Sequence, residues 1–265
     1  MMPTMSFDPK VEVQNHYDEV VKKHGRSNVF FTALYGSHNY HLNDAFSDVD
    51  SKSFIFPSLE NLIQKVDAKD LFELKSGQAQ LIDLRQGFDQ LWKENISILE
   101  LLFTDYYVVS ERYKDYWELL RSKREEIAAA DQQKLARNIY YSALDKYNKL
   151  HHITDANRET IEKFGYDTKQ LHHILRLGDF MDSYFVKGKS FAESLISPMP
   201  DFNIKVKRGY YVCKFKNTEA CAPIELDHMN QIIHSSYIDR TVHTEVREEF
   251  TDFIYDMFGE RFYSL

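Results

Sequence analysis

Apolar residues recur along the first hundred or so positions with two different periods, and each change of period marks an element. Asp8 to His24 sets Val11, Val13, Tyr17, Val20 and Val21 behind an Asp8-Pro9 start and ahead of Gly25, which predicts a helix. Two apolar runs follow, Asn28 to Leu34 and Val49 to Phe56, each bounded by polar or turn residues, and both read as strands. Pro57-Ser58 opens a short helix through Val66, and Asp70 to Leu74 with Gln78 to Leu84 read as two further strands around Ser76-Gly77. From Arg85 the spacing becomes helical through Phe88, Leu91, Trp92, Ile96, Leu99 and Leu102, with a break at Lys93-Glu94-Asn95. The expected core, residues 1–110, is therefore a small mixed sheet of four strands with flanking helices.

The remainder, residues 111–265, is expected to be a mainly helical domain, so that the fold class is α+β. Thr104 to Val109 is a short extended piece; Tyr113 to Ala130, Gln133 to His152 and Asp155 to Phe164 then follow as successive helices. Ser190 to Ile196 is a short helix that Ser197-Pro198-Met199-Pro200 ends. Asn203 to Lys216 alternates, with Lys205, Lys207, Arg208, Lys214 and Lys216 among Val206, Tyr210, Tyr211, Val212 and Phe215, and predicts a basic hairpin. Such a hairpin either touches nucleic acid or is a sheet edge guarded by charge. Pro223 to Leu265 is helical and acidic. No Pro-, Gly- or Ser-rich linker separates the two parts.

Composition narrows the class of protein. A net charge of −8 argues against a broad, sequence-indifferent grip on nucleic acid, which depends on basic surface and counterion release. No apolar run approaches the length of a membrane span, and Met1 to Lys10 lacks the pattern of a signal peptide, so a cytoplasmic protein is expected. The two cysteines, Cys213 and Cys221, have no metal-ligand spacing and make no disulfide framework.

The candidate chemistry lies between the first two strands. Gly36 lets the backbone turn sharply and approach a ligand, and Ser37 adds a hydroxyl and an N–H at the start of a helical turn, which together suit a phosphate. Asp48 and Asp50, two apart at the start of a strand, leave the same face and can converge on a hard cation, while Val49 points into the core. A phosphate cradle beside paired carboxylates is what phosphoryl or nucleotidyl transfer needs, because that chemistry is mostly positioning and neutralisation of charge. Gly-Ser, a spacer and Asp-x-Asp together resemble the DNA polymerase β-like nucleotidyltransferases. Gly36 to Leu42 followed by Ser47 to Asp50 is most similar to the subgroup of predicted nucleotidyltransferases associated with RNA repair.

Two further stretches bear on that resemblance. Leu84, Arg85, Asn95, Glu100 and Leu101 fill places of a helical segment of the subgroup; Glu100 is either a substrate-site carboxylate or a structurally paired one. Asp167 or Thr168 caps a helix on which Lys169, His173 and Arg176 share one face, spaced i, i+4, i+7. Three potential cations on one face ask for an anion, supplied by a nucleotide or by acidic side chains of the fold. The resemblance implies the nucleotide, since these three residues match a second motif of the subgroup; His172 lies off that face.

The resemblance implies transfer of a nucleoside monophosphate from a nucleoside triphosphate to a hydroxyl, on RNA, with magnesium or manganese. Gly36 and Ser37 would hold phosphates, Asp48 and Asp50 the metal, and Lys169, His173 and Arg176 the triphosphate or the acceptor. The wider family also uses a third carboxylate as base, which the subgroup places shortly before the helix that begins Leu84-Arg85. Gln78 and Gln80 stand in that neighbourhood and cannot act as a base, while Asp83 either serves as one or caps the following helix. Two rivals follow: a nucleotide-binding protein that lost the base, and an enzyme whose acceptor is a protein side chain.

Overall fold

The computed structural model describes residues 7–44, 47–210 and 218–263. These belong to two compact units, one made of residues 1–39, 45–131 and 241–265, the other of residues 40–44 and 132–240.

The first unit begins with helix α1 (Pro9–His24), fixed at its start by Asp8, whose side chain accepts from Lys10 N, and by Pro9 in the first turn. Gly25, at φ 84°, closes it by donating to Val21 O. The sheet contains β1 (Val29–Tyr35), β2 (Asp50–Ile55), β3 (Asp70–Glu73), β4 (Gln78–Asp83) and β5 (Tyr107–Val109), in the order β3-β4-β2-β1-β5. β2 and β4 are parallel and every other pair is antiparallel, so the sheet is mixed and the class is α+β, as expected. It has five strands rather than four, because part of the extended piece 104–109 pairs with β1, Phe31 facing Val109 and Ala33 facing Tyr107.

Register places residues on two faces. Tyr35, Asp50 and Gln78 stand in one row, and Ala33, Lys52 and Gln80 in the next. That face carries the aromatic core: Phe31 lies 4.6 Å from Phe54 and 4.4 Å from Trp117, ring centre to ring centre. Helix α2 (Leu59–Gln64) joins β2 to β3. Helix α3 (Leu84–Trp92) packs so closely that a methyl at Gly87 would overlap the Phe54 ring. On the opposite face Tyr17 and Val20 of α1 bury against Val29, Ile55, Ala79 and Leu81. After α4 (Ile96–Leu99), the unit runs past residue 110 into α5 (Lys114–Ser122) and α6 (Arg124–Ala129). It also takes in the C-terminal helix Thr244–Tyr263, where Phe253 meets Phe88 and Phe250 meets Trp92, rings 6.5 and 5.8 Å apart.

The second unit is helical: α7 (Gln132–Asn148), α8 (Arg158–Phe164), α9 (Thr168–Met181), α10 (Phe191–Leu195), α11 (Pro200–Lys207) and α12 (Cys221–His234). α9 is its centre, burying Leu171 and Ile174 with Leu150, Tyr166, Val206 and Ala222. The basic hairpin expected from Asn203 to Lys216 is not present in its first part: Asn203 to Lys207 completes α11. Pro200 in the first turn starts that helix, and Asn203 and Val206, three apart, form its buried edge. Arg208 to Tyr210 follow as a turn, and positions 211–216 of the expected hairpin lie outside the described residues, as does Cys213; Cys221 is exposed.

Candidate active site

β1 ends directly opposite the start of β2, so that Tyr35 pairs with Asp50 and the two candidate motifs meet at one end of the sheet. Gly36 makes the turn at φ 92°, a conformation that disfavours any side chain, and the position its Cβ would take has nothing within 4 Å. Ser37–Tyr40 follows as a single tight helical turn. It is held by Asn39, whose backbone N–H donates to Gly36 O at 3.0 Å and whose side chain donates to Leu34 O at 3.0 Å. Open space at a glycine turn is where a phosphate can approach the backbone closely.

Asp50, the first residue of β2, is half-buried, and its Oδ1 accepts from Gln78 N at 3.0 Å. The turn that supplies this donor is clamped on the strand: Val49 N donates to Ser76 O at 2.8 Å, and Leu74 N to Gly77 O at 2.8 Å. Gly77 is needed by contact, since a Cβ there would sit 2.9 Å from Asp50 Oδ1 and 2.8 Å from the Val49 carbonyl carbon. Val49 is buried, as its alternation predicts. Asp48 is exposed and precedes the strand, so the loop, not strand alternation, sets its direction.

Two further groups belong to this end of the sheet: Lys52, which the sequence did not single out, and Glu100, which it offered as a substrate-site or a structurally paired carboxylate. Lys52, 7% exposed, shares the face of Asp50; its Nζ donates to Ser97 O at 3.0 Å and lies 4.4 Å from the centre of the Tyr35 ring. Burial pulls its ammonium pKa down, against the charge of Glu100, which pulls it up. Glu100, 1% exposed, places Oε2 3.5 Å from Gly36 N. Burial, with the nearby charges of Asp50 and Glu100, pushes the Tyr35 phenol up to about 12. A buried lysine gives no pattern in sequence, because lysine two places along a strand from an aspartate usually faces water.

Asp83 is corrected. It faces Ile55, at the far end of β2 from Asp50 and on the α1 side of the sheet, roughly 16 Å along the strand at 3.3 Å per residue. Its side chain is fully buried and committed: Oδ2 accepts from Ala68 N at 2.9 Å and Arg85 Nη2 at 2.7 Å, Oδ1 from Arg85 N and Nε at 2.9 Å each. It caps α3 and holds Arg85, so the helix-cap alternative is the one this geometry supports. On β4, the row of Asp50 and Lys52 carries Gln78 and Gln80 instead.

In the second unit, α9 is capped by Asp167, whose Oδ1 accepts from Lys169 N at 2.9 Å and Gln170 N at 3.3 Å. Lys169 is exposed, His173 half-buried and Arg176 9% exposed. Arg176 lies with its guanidinium 4.0 Å over the ring centre of Tyr40, and its Nε has no hydrogen-bond partner among the described residues. Burial, followed by the charge of Arg176, drives the His173 pKa well down, so the face presents two cations and a neutral imidazole rather than three cations. His172 is buried, and its Nδ1 is 3.1 Å from Asn203 O, a structural role consistent with its place off that face.

Among the described residues no cluster of three or more His, Cys, Asp or Glu is gathered as a cation site. Magnesium asks for less than that: one or two carboxylates, with water and phosphate oxygens completing its shell. Asp50, opposite the residue before the glycine turn, and Asp48, exposed two positions earlier, are oxygen donors of the kind that requirement names and offer nothing to a soft metal. Among the described residues no helix is long and apolar enough to cross a membrane.

No family model matches the chain, and no curated protein matches it. Among solved structures it is similar to a nucleotidyltransferase-like protein from Exiguobacterium sibiricum, with 12% identity, a TM-score of 0.30, and coverage of 86% of this chain and 75% of that one. A likeness so distant carries no functional argument.

Proposed function

We propose that this protein is a metal-dependent nucleotidyltransferase that moves a nucleoside monophosphate from a nucleoside triphosphate to a hydroxyl on RNA. The observation that carries this is the pairing of Tyr35 with Asp50, which sets the Gly36 turn beside a carboxylate held by Gln78 N. Gly36 leaves open space at the turn for phosphate oxygens, and Ser37 supplies an N–H and a hydroxyl. Asp48 and Asp50 hold magnesium or manganese, which when bound neutralises charge on the phosphates and lowers the pKa of the acceptor hydroxyl. The acceptor oxygen bonds to the α-phosphorus, the bond from that phosphorus to the bridging oxygen breaks, pyrophosphate leaves, and the hydroxyl proton passes to solvent or a base. On the second unit, Lys169 and Arg176 are cationic groups suited to phosphate; a mostly buried guanidinium with an unpartnered Nε favours an anion. RNA as acceptor rests on the sequence resemblance alone.

One observation favours a second reading, a nucleotide-binding protein without transfer. Gln78 and Gln80 occupy the β4 positions beside Asp50 and Lys52, where a general base would stand, and Glu100, the other carboxylate near Gly36, is buried. General-base help is worth ~10²–10⁴-fold, so its loss gives a slow enzyme rather than none. Incubation with each labelled triphosphate, magnesium or manganese, and RNA or protein acceptors separates the cases. Label transferred to RNA is expected; transfer to protein would replace the acceptor, and binding without transfer to either would establish the second reading.

A further inference from the structure

We infer that His16, on α1, is a positioning residue that fixes the orientation of the Asp50 carboxylate through the Ser76-Gly77-Gln78 turn. This rests on the nucleotidyltransferase reading, in which Asp50 holds the metal.

His16 is completely buried on the face of the sheet opposite Asp50. Its Nδ1 is 2.8 Å from Ser51 Oγ and its Nε2 is 3.0 Å from Ser76 Oγ, and both hydroxyls are buried too. Burial lowers the pKa of the ring, so the neutral imidazole donates from one nitrogen and accepts at the other, matching two hydroxyls that can do either. α1 itself is anchored by Val13, Tyr17 and Val20, so the ring is a fixed post rather than a follower. From it the chain of contacts is continuous: Ser76 is tied to His16 by its hydroxyl and to Val49 N by its carbonyl, and two residues on Gln78 N meets Asp50 Oδ1. The turn therefore hangs between α1 and the start of β2. A buried imidazole between two serines is an expensive way to fill a core, since an apolar side chain there would need no partners. What it adds is direction, because a hydrogen-bonded ligand carboxylate depends on its supporting groups for its aim.

The test uses the full chain, with Mn²⁺ in the presence of ATP as the probe, read by electron paramagnetic resonance, and amide exchange of Gln78 read by NMR. Ser76→Ala and Ser51→Ala each remove one hydroxyl partner of His16, but only the first releases the turn. Ser76→Ala is expected to weaken Mn²⁺ binding by about tenfold, the lower end for supporting groups of metal ligands, and to speed exchange of the Gln78 amide. Ser51→Ala should leave both near wild type. His16→Phe should behave as Ser76→Ala; if it fails to fold, the serine pair still decides. Unchanged Mn²⁺ affinity and Gln78 exchange in Ser76→Ala, or equal losses in the two serine variants, would overturn the positioning role and leave the function standing. A wild type that binds no Mn²⁺ with ATP would overturn both.

Discussion

Gly77→Ala is the most direct test of how the candidate metal carboxylate is held. A methyl at this position would lie 2.9 Å from Asp50 Oδ1 and 2.8 Å from the Val49 carbonyl carbon, and closer still to that carbonyl oxygen. Ordinary contact begins near 3.4 Å, and the obstacle is backbone, so the turn must retreat by about 1 Å. That retreat takes the Gln78 N to Asp50 Oδ1 distance from 3.0 Å to beyond hydrogen-bonding range. A hydrogen bond to a charged group contributes about 1.5–3 kcal/mol, so the variant should lose about 2 kcal/mol of stability in urea unfolding. Mn²⁺ affinity in the presence of ATP should fall by about tenfold or more, because the carboxylate loses its support. Gly36→Ala is the contrast: its methyl meets nothing within 4 Å, so only the backbone cost of φ 92°, about 1 kcal/mol, applies. A Gly77→Ala protein as stable as wild type, with the same Mn²⁺ affinity, would refute the claim that this turn aims Asp50.

Further outcomes follow from the same geometry. Asp48→Asn and Asp50→Asn should each abolish metal-dependent nucleotide binding in calorimetry. Asp83→Asn should lower the melting temperature, costing about 2 kcal/mol for the charged hydrogen bonds it weakens at Ala68 and Arg85, and leave that binding intact; the reverse pattern would restore Asp83 to the site. Lys169→Ala and Arg176→Ala should weaken triphosphate binding, and by more at low salt than at high salt, with the fold unchanged by circular dichroism; equal affinity in both would assign the face a structural role. The second unit should be acid-labile. Burial, then the charge of Arg176, holds His172 down from 6.5 to about 3, so on acidification the unfolded chain takes up the proton first. Stability present above pH 6.5 is then lost as pH falls toward 3, with a slope near 1.4 kcal/mol per pH unit from this group, and His172→Asn should flatten that slope in urea unfolding curves measured across the range.

The local elements of this chain were legible because their causes are local. Asp8-Pro9 and Gly25 bound α1, and the apolar runs before Gly36 and after Asp48 become β1 and β2 within a residue or two. Gly36, Ser37 and Asp50 stand together because a turn and two adjacent strands join residues that are already near in sequence. β5 escaped because three half-buried residues are too short to show a period, and only pairing with β1 makes them a strand. Asn203 to Lys207 alternates in sequence yet forms a helix, since what fixes it is the burial of Asn203, whose side-chain amide donates to Asp179 Oδ2 and Ser197 Oγ at 2.9 and 2.8 Å. The C-terminal helix joins the first unit through Phe250 and Phe253, a choice made by rings from residues 88 and 92. Asp83, Lys52, Glu100 and His16 show the limit most clearly. Sequence gives each a charge or a ring, but sheet register decides that Asp83 faces away from Asp50 and that Lys52 faces with it. Long-range packing alone sets Glu100 beneath Gly36 and His16 behind Ser76. A side chain's chemistry is written at its own position, whereas its partners are fixed only when distant strands and helices pair.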